Sequence, residues 1–262
     1  MLLQNKNAVI YGAAGSVGSG MARTFAAEGA RVFLTGRTRA TLEALAEEIT
    51  AAGGQAEADV VDALDEAAVD AHARSMVERA GSLDISISLV TRGDVQGIPL
   101  AQMTTEDLLR PVMTGLTATF VTARAAARHM TGQGSGVILA FNSGSAHGSP
   151  MMGGTGLADA AIDTFIRNLA GEIGPSGVRV LGMWAAGVPE SFTPEKLAAV
   201  NSDMVFDDAA MQGLLAQLAS MRMLRRSPSL AEIASTAAFL ASDRAGGITA
   251  TFVNVTGGIF AS

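Results

Sequence analysis

Short apolar runs alternate along this chain with longer, alanine-rich amphipathic stretches. The runs fall at residues 7–11, 31–35, 55–58, 84–90, 136–142, 178–184 and 251–255, and each predicts a buried strand. The stretches between them, near 17–28, 40–52, 64–80, 105–130, 156–173 and 229–241, carry helical spacing of apolar positions. Glycines at 29, 53–54, 81, 132, 134, 174 and 246–247 punctuate these units as helix stops or loop residues. Strand and helix in regular alternation require a parallel sheet with helices on both faces. The expected fold class is therefore α/β, a doubly wound seven-stranded parallel sheet, in a single domain over residues 1–262.

The stretch 185–228 interrupts the rhythm. It holds Pro189 and Pro194 and two helical-looking pieces with Met204, Met211, Met221 and Met223. An insertion after the carboxyl end of a central strand lies over the crevice where open α/β sheets bind ligands, so it is expected to be a substrate lid. Packing against a hydrophobic face or a second subunit accounts for the same methionines.

Composition narrows the function classes. With 48% hydrophobic residues in 262, the chain can bury a substantial core. The absence of cysteine removes disulfides and thiolate metal ligands and points to the reducing cytoplasm; no metal site is expected. No stretch reads as a signal peptide or a membrane span, so no membrane partner is expected. The net charge is -7 and the basic residues are scattered apart from Arg225-Arg226, which argues against a nucleic-acid partner. Any mechanism must draw on two lysines, Lys6 and Lys196, one tyrosine, Tyr11, and three histidines, His72, His129 and His147.

The segment from Ala8 to Gly18 runs from an apolar strand through Gly12, Gly15, Ser16 and Val17 into a helix. Glycines let the backbone approach a pyrophosphate, and the helix N-terminus offers free N–H groups and the positive end of a dipole. Strand, turn, helix and second strand in that order are the context a dinucleotide site demands. At the tip of the second strand an acid would bind a ribose 2′-hydroxyl; this chain has Gly36, then Arg37 and Thr38. A guanidinium suits a 2′-phosphate, so NADP(H) is the expected cofactor.

With those residues in view, the chain resembles the short-chain dehydrogenase/reductase family, which shares the Rossmann-type sheet, over nearly its whole length. The likeness includes Gly12 to Gly18, Gly36-Arg37, Asp59-Val60, Leu83-Asp84-Ile85, Ala125 to Met130, Gly174 to Val180, Ala237 to Asp243 and Asn254 to Gly258. The resemblance implies an oxidoreductase, adenine contacts from Asp59 and Val60, a cofactor contact near Gly187, a small-molecule substrate, and a homo-oligomer, tetramer or dimer. It also exposes departures. Tyr11 and Ser16 replace a threonine and a glycine of the family's turn, Ser88 to Thr91 replaces its NNAG, and Gly115 takes the place of an asparagine. Thr155 and Asp159 stand where the catalytic tyrosine and lysine belong.

Of the family's tetrad only a serine remains, Ser143 or Ser145. Thr155 is too weak an acid to replace tyrosine, and a carboxylate at 159 reverses the lysine's field. Asp159 therefore keeps only the expected contact to ribose hydroxyls. His147, four residues past Ser143, is the candidate for proton transfer near neutral pH. Arg92 and Asp94 are expected either to bind substrate or to pair with one another, while His72 and His129 fall on helix faces. Three readings stay open: an NADP(H)-dependent oxidoreductase of an apolar carbonyl or alcohol with an atypical active site, a non-redox lyase, isomerase or cyclase, and a cofactor-binding scaffold without turnover.

Overall fold

The computed structural model describes residues 1–202 and 207–262. Seven parallel strands run β1 (Asn7–Tyr11), β2 (Arg31–Gly36), β3 (Gln55–Val60), β4 (Ile85–Ser88), β5 (Gly136–Asn142), β6 (Val178–Trp184) and β7 (Phe252–Asn254). Their order in the sheet is β3-β2-β1-β4-β5-β6-β7. The helices are α1 (Ser16–Ala27), α2 (Arg39–Ala51), α3 (Glu66–Ala80), α4 (Thr105–Gln133), α5 (Thr155–Ile173), α6 (Pro194–Val200), α7 (Asp208–Ser220) and α8 (Leu230–Ala241).

Each face of the sheet buries its own apolar cluster. One cluster joins Met21 and Phe25 of α1, Leu42 and Ile49 of α2, and Ile233 and Leu240 of α8 to Ile10, Leu34 and Leu181. The other joins Val69 and Met76 of α3, Val121 and Met130 of α4, and Ile162 and Ile166 of α5 to Val9, Phe33 and Val180. Alternate residues of one strand thus feed opposite cores, which is why the strands read as continuous apolar runs.

The termini follow their local chemistry. Asp65 and Thr104 accept N–H bonds at the starts of α3 and α4, and Ser229 and Glu232 form a reciprocal capping box on α8. Gly81 and Gly134 end α3 and α4 in the left-handed region, so α4 continues past the expected 130 to Gln133. The insertion after β6 contains α6 and α7; Met204 lies outside the described residues.

The strand order reverses between β1 and β4, and the crevice outside their carboxyl ends is where open α/β sheets take ligands. No helix among the described residues is long and apolar enough to cross a membrane.

Candidate active site

The turn between β1 and α1 is built for close approach. Gly12 has φ +79, and a Cβ there would lie 2.6 Å from the Leu89 carbonyl oxygen. A Cβ on Gly18 would meet the Gly12 carbonyl oxygen at 2.3 Å, so α1 packs directly on the turn. The start of α1 has no side-chain cap and no acid in its first turn, which leaves its N–H groups and dipole available to an anion.

Two cavities of about 220 Å³ each flank this turn and share Leu89, Val90 and Thr91. One runs past Gly12, Gly15, Gly36, Arg37, Thr38 and Asp62. The Arg37 side chain is exposed and has no ion pair among the described residues, whereas Arg39 pairs with Glu43. The second cavity is lined by Val17, Arg92, Asp94, Gly115, Asn142 and Ser143, among others. A wider hollow of about 750 Å³ beside α8 contains neither the glycine turn nor the Arg92 cluster.

The second cavity holds a charge-paired network. Asp159, with its side chain 0% exposed, receives Arg92 Nη1 at 2.6 Å on Oδ1. On Oδ2 it accepts the Ser143 hydroxyl at 2.6 Å and the backbone N–H groups of Ser145 at 2.9 Å and Ser143 at 3.2 Å. The Ser143 and Ser145 hydroxyls are 2.7 Å apart. Thr155 donates its hydroxyl to Asp94 at 2.7 Å and accepts from Gln96 Nε2 at 3.1 Å. Arg92 Nη2 also reaches Asp94 at 3.3 Å. Burial works against the Arg92 charge, but the carboxylates of Asp94 and Asp159 outweigh it and hold its pKa above the ordinary arginine value.

Gly115 is part of the same arrangement. A Cβ at 115 would lie 2.6 Å from Arg92 Cδ and 3.1 Å from its Cγ, so the arginine stem runs through the space that a side chain on α4 would fill.

Several expected site residues lie elsewhere. Asp59 faces α3, where His72 Nε2 lies 3.1 Å and Arg79 Nη2 2.9 Å from its carboxylate; Val60 is 45% exposed, and neither lines the cavities. Val61, Asp62 and Ala63 line the cavity in their stead. Asp159 is fully buried among Arg92, Ser143 and the Ser145 N–H, and it does not line the cavities. His147 stacks on Phe260 at 4.4 Å and meets Trp184 edge-on at 4.7 Å, outside the cavity lining. Ser143 lines the cavity and Ser145 sits behind it. Gly187, with φ +60, is held through its carbonyl and that of Ala186 by the buried Arg222 guanidinium.

One contact went unseen in the sequence. Lys196 of α6 donates to the Ser16 hydroxyl at the start of α1. The cue was that only two lysines are present and one falls in the insertion over the crevice.

A family model described as enoyl-(acyl carrier protein) reductase matches residues 12–259, which takes in the turn, both cavities and the C-terminal strand. The chain belongs to the short-chain dehydrogenase/reductase family. It is 29% identical to the short-chain reductase protein NovJ of Streptomyces niveus, over 97% of this chain and 94% of that one. It is 30% identical to an L-rhamnose 1-dehydrogenase (NAD(P)(+)) of Azotobacter vinelandii, over 99% and 98%. In fold it matches the crystal structure of NAD+-bound xylitol dehydrogenase with a TM-score of 0.87, at 23% identity and over 98% and 100% of the two chains. Within this short-chain dehydrogenase/reductase framework, Thr155 and Asp159 lie on the buried face of α5, behind the Arg92 and Asp94 side chains that line the second cavity.

Proposed function

We propose that this protein is an NADP(H)-binding oxidoreductase that acts on a small carbonyl or alcohol substrate without the family's tyrosine–lysine pair. The observation that carries the cofactor reading is Arg37, free of any carboxylate partner among the described residues and set beside the glycine turn. The turn, the uncapped start of α1 and the Asp62 edge fit the pyrophosphate and adenine ends of such a cofactor. A nicotinamide in the second cavity would supply or accept a hydride.

What the chain contributes there is position and charge. Arg92 is the cation on the cavity wall and is suited to offset negative charge that develops on a substrate oxygen. The Ser143 hydroxyl donates a hydrogen bond to Asp159 and pairs with the Ser145 hydroxyl, which orders the wall but leaves no acid tuned to neutral pH. The proton in this reading comes from water. In this reading the divergence is a coordinated one: Gly115, Thr155 and Asp159 stand where the family has asparagine, tyrosine and lysine, and Arg92 fills the space between them. The same reading expects a homo-oligomer, in line with the exposed Leu109, Met113 and Phe120 on α4.

The test is to incubate the protein with NADPH deuterated at C4 and a panel of aldehydes and ketones. Transfer of deuterium into an alcohol product supports the reading. Absence of label from every product, with NADPH bound, contradicts it and favours the scaffold.

A further inference from the structure

Lys196 sits on α6, whose Leu197 is buried while Lys196 itself is exposed. Thr193 caps this short helix by accepting from the Lys196 N–H at 3.3 Å. The ammonium reaches across the crevice to the Ser16 hydroxyl and has no ion pair among the described residues. The other end of α6 is tied to the second cavity: the Val200 carbonyl accepts from the Gln96 N–H at 3.3 Å, and Asn201 Nδ2 donates to the Gln96 carbonyl at 3.0 Å. Gln96 in turn holds Thr155. One short helix therefore spans from the start of α1 to the Thr155–Asp94 pair.

We infer that Lys196 is a second phosphate ligand, carried by α6, so that a pyrophosphate on the turn pins this helix across the crevice. The inference rests on the dinucleotide reading above and adds to it a residue and a consequence. An ammonium with no carboxylate partner among the described residues, held at the start of a helix whose own N–H groups and dipole favour anions, creates a site for negative charge that neither element makes alone. Two cations then share the cofactor, with Arg37 serving the 2′-phosphate and Lys196 the pyrophosphate. The cofactor would draw α6 down, and through Gln96 it would order the wall that carries Thr155.

The test compares NADPH, adenosine 2′,5′-bisphosphate, which keeps a phosphate at the turn without the nicotinamide, and adenosine 2′-monophosphate, which has none there, against wild type, Lys196→Met and Lys196→Arg. The expected result is that Lys196→Met weakens NADPH and adenosine 2′,5′-bisphosphate by about tenfold, as for loss of a charge-assisted contact, and flattens their salt dependence. Binding of adenosine 2′-monophosphate should be unchanged, and Lys196→Arg should retain most NADPH affinity. Wild-type affinity and salt dependence in Lys196→Met would overturn the inference, as would equal losses for all three ligands. If wild type binds none of them, the dinucleotide reading itself falls.

Discussion

Arg92 Nη1 lies 2.6 Å from Asp159 Oδ1, and the arginine stem occupies the space left by Gly115. This pair joins three elements into one arrangement. The cation comes from the loop after β4, the carboxylate on α5 receives it, and α4 has no side chain at 115 in its path.

Removing one partner strands a charge. Arg92→Met leaves Asp159, fully buried, with serine and backbone donors alone, and is expected to destabilise the protein by about 3–5 kcal/mol. Arg92→Met combined with Asp159→Leu is expected to recover part of that loss, because the fully buried carboxylate is removed with its cation and only the partly exposed Asp94 is left unpaired. Urea denaturation of the two variants measures the difference.

Placing asparagine at 115, or tyrosine and lysine at 155 and 159, should not create a working reductase site. Gly115→Asn would drive its Cβ into the Arg92 stem, at an expected cost of about 1–3 kcal/mol. Thr155→Tyr with Asp159→Lys would set an ammonium beside the Arg92 guanidinium, so that double variant is not expected to gain carbonyl reduction. Robust reductase activity in it would contradict the coupling of these positions.

Specificity at the adenine end should be reversible. A Cβ on Gly36 meets Leu42 Cδ2 at 3.5 Å, an ordinary contact, so Gly36→Asp can be accommodated. The added carboxylate would oppose a 2′-phosphate and accept from a 2′-hydroxyl. The ratio of NADPH to NADH affinity is expected to fall by about tenfold or more, read by cofactor fluorescence.

Asp59 should act on acid stability. The His72 hydrogen bond first, and Arg79 with it, outweigh burial and hold its pKa at about 2. Its folded pKa is depressed, so the stabilisation is present above the ordinary carboxylate pKa and is lost as pH falls toward 2. Asp59→Asn is expected to lower stability near neutral pH and to flatten its pH dependence across that acid window. Thermal melts at stepped pH check this.

Much of the fold was legible because β1, β2, β5 and β6 each feed two cores. β1, β5 and β6 match the apolar runs at 7–11, 136–142 and 178–184. What the sequence did not disclose are the tertiary partners that polar residues serve. Glu57 and Asp59 share one face of β3, and Arg79 of α3 reaches both carboxylates. That strand periodicity was readable and turns Asp59 toward α3, while Asp62 lines the cavity. His147 has an aromatic stack whose partner Phe260 comes from the far end of the chain. Lys196 and Ser16 are 180 residues apart, a meeting that only the packed insertion reveals.

The most direct measurement is a titration of purified, cofactor-stripped protein and its Arg37→Ala variant with NADPH and with NADH, followed by fluorescence. The account predicts that wild type prefers NADPH and that the variant loses NADPH affinity far more than NADH affinity. Equal losses for the two cofactors, or no binding of either by wild type, would contradict it.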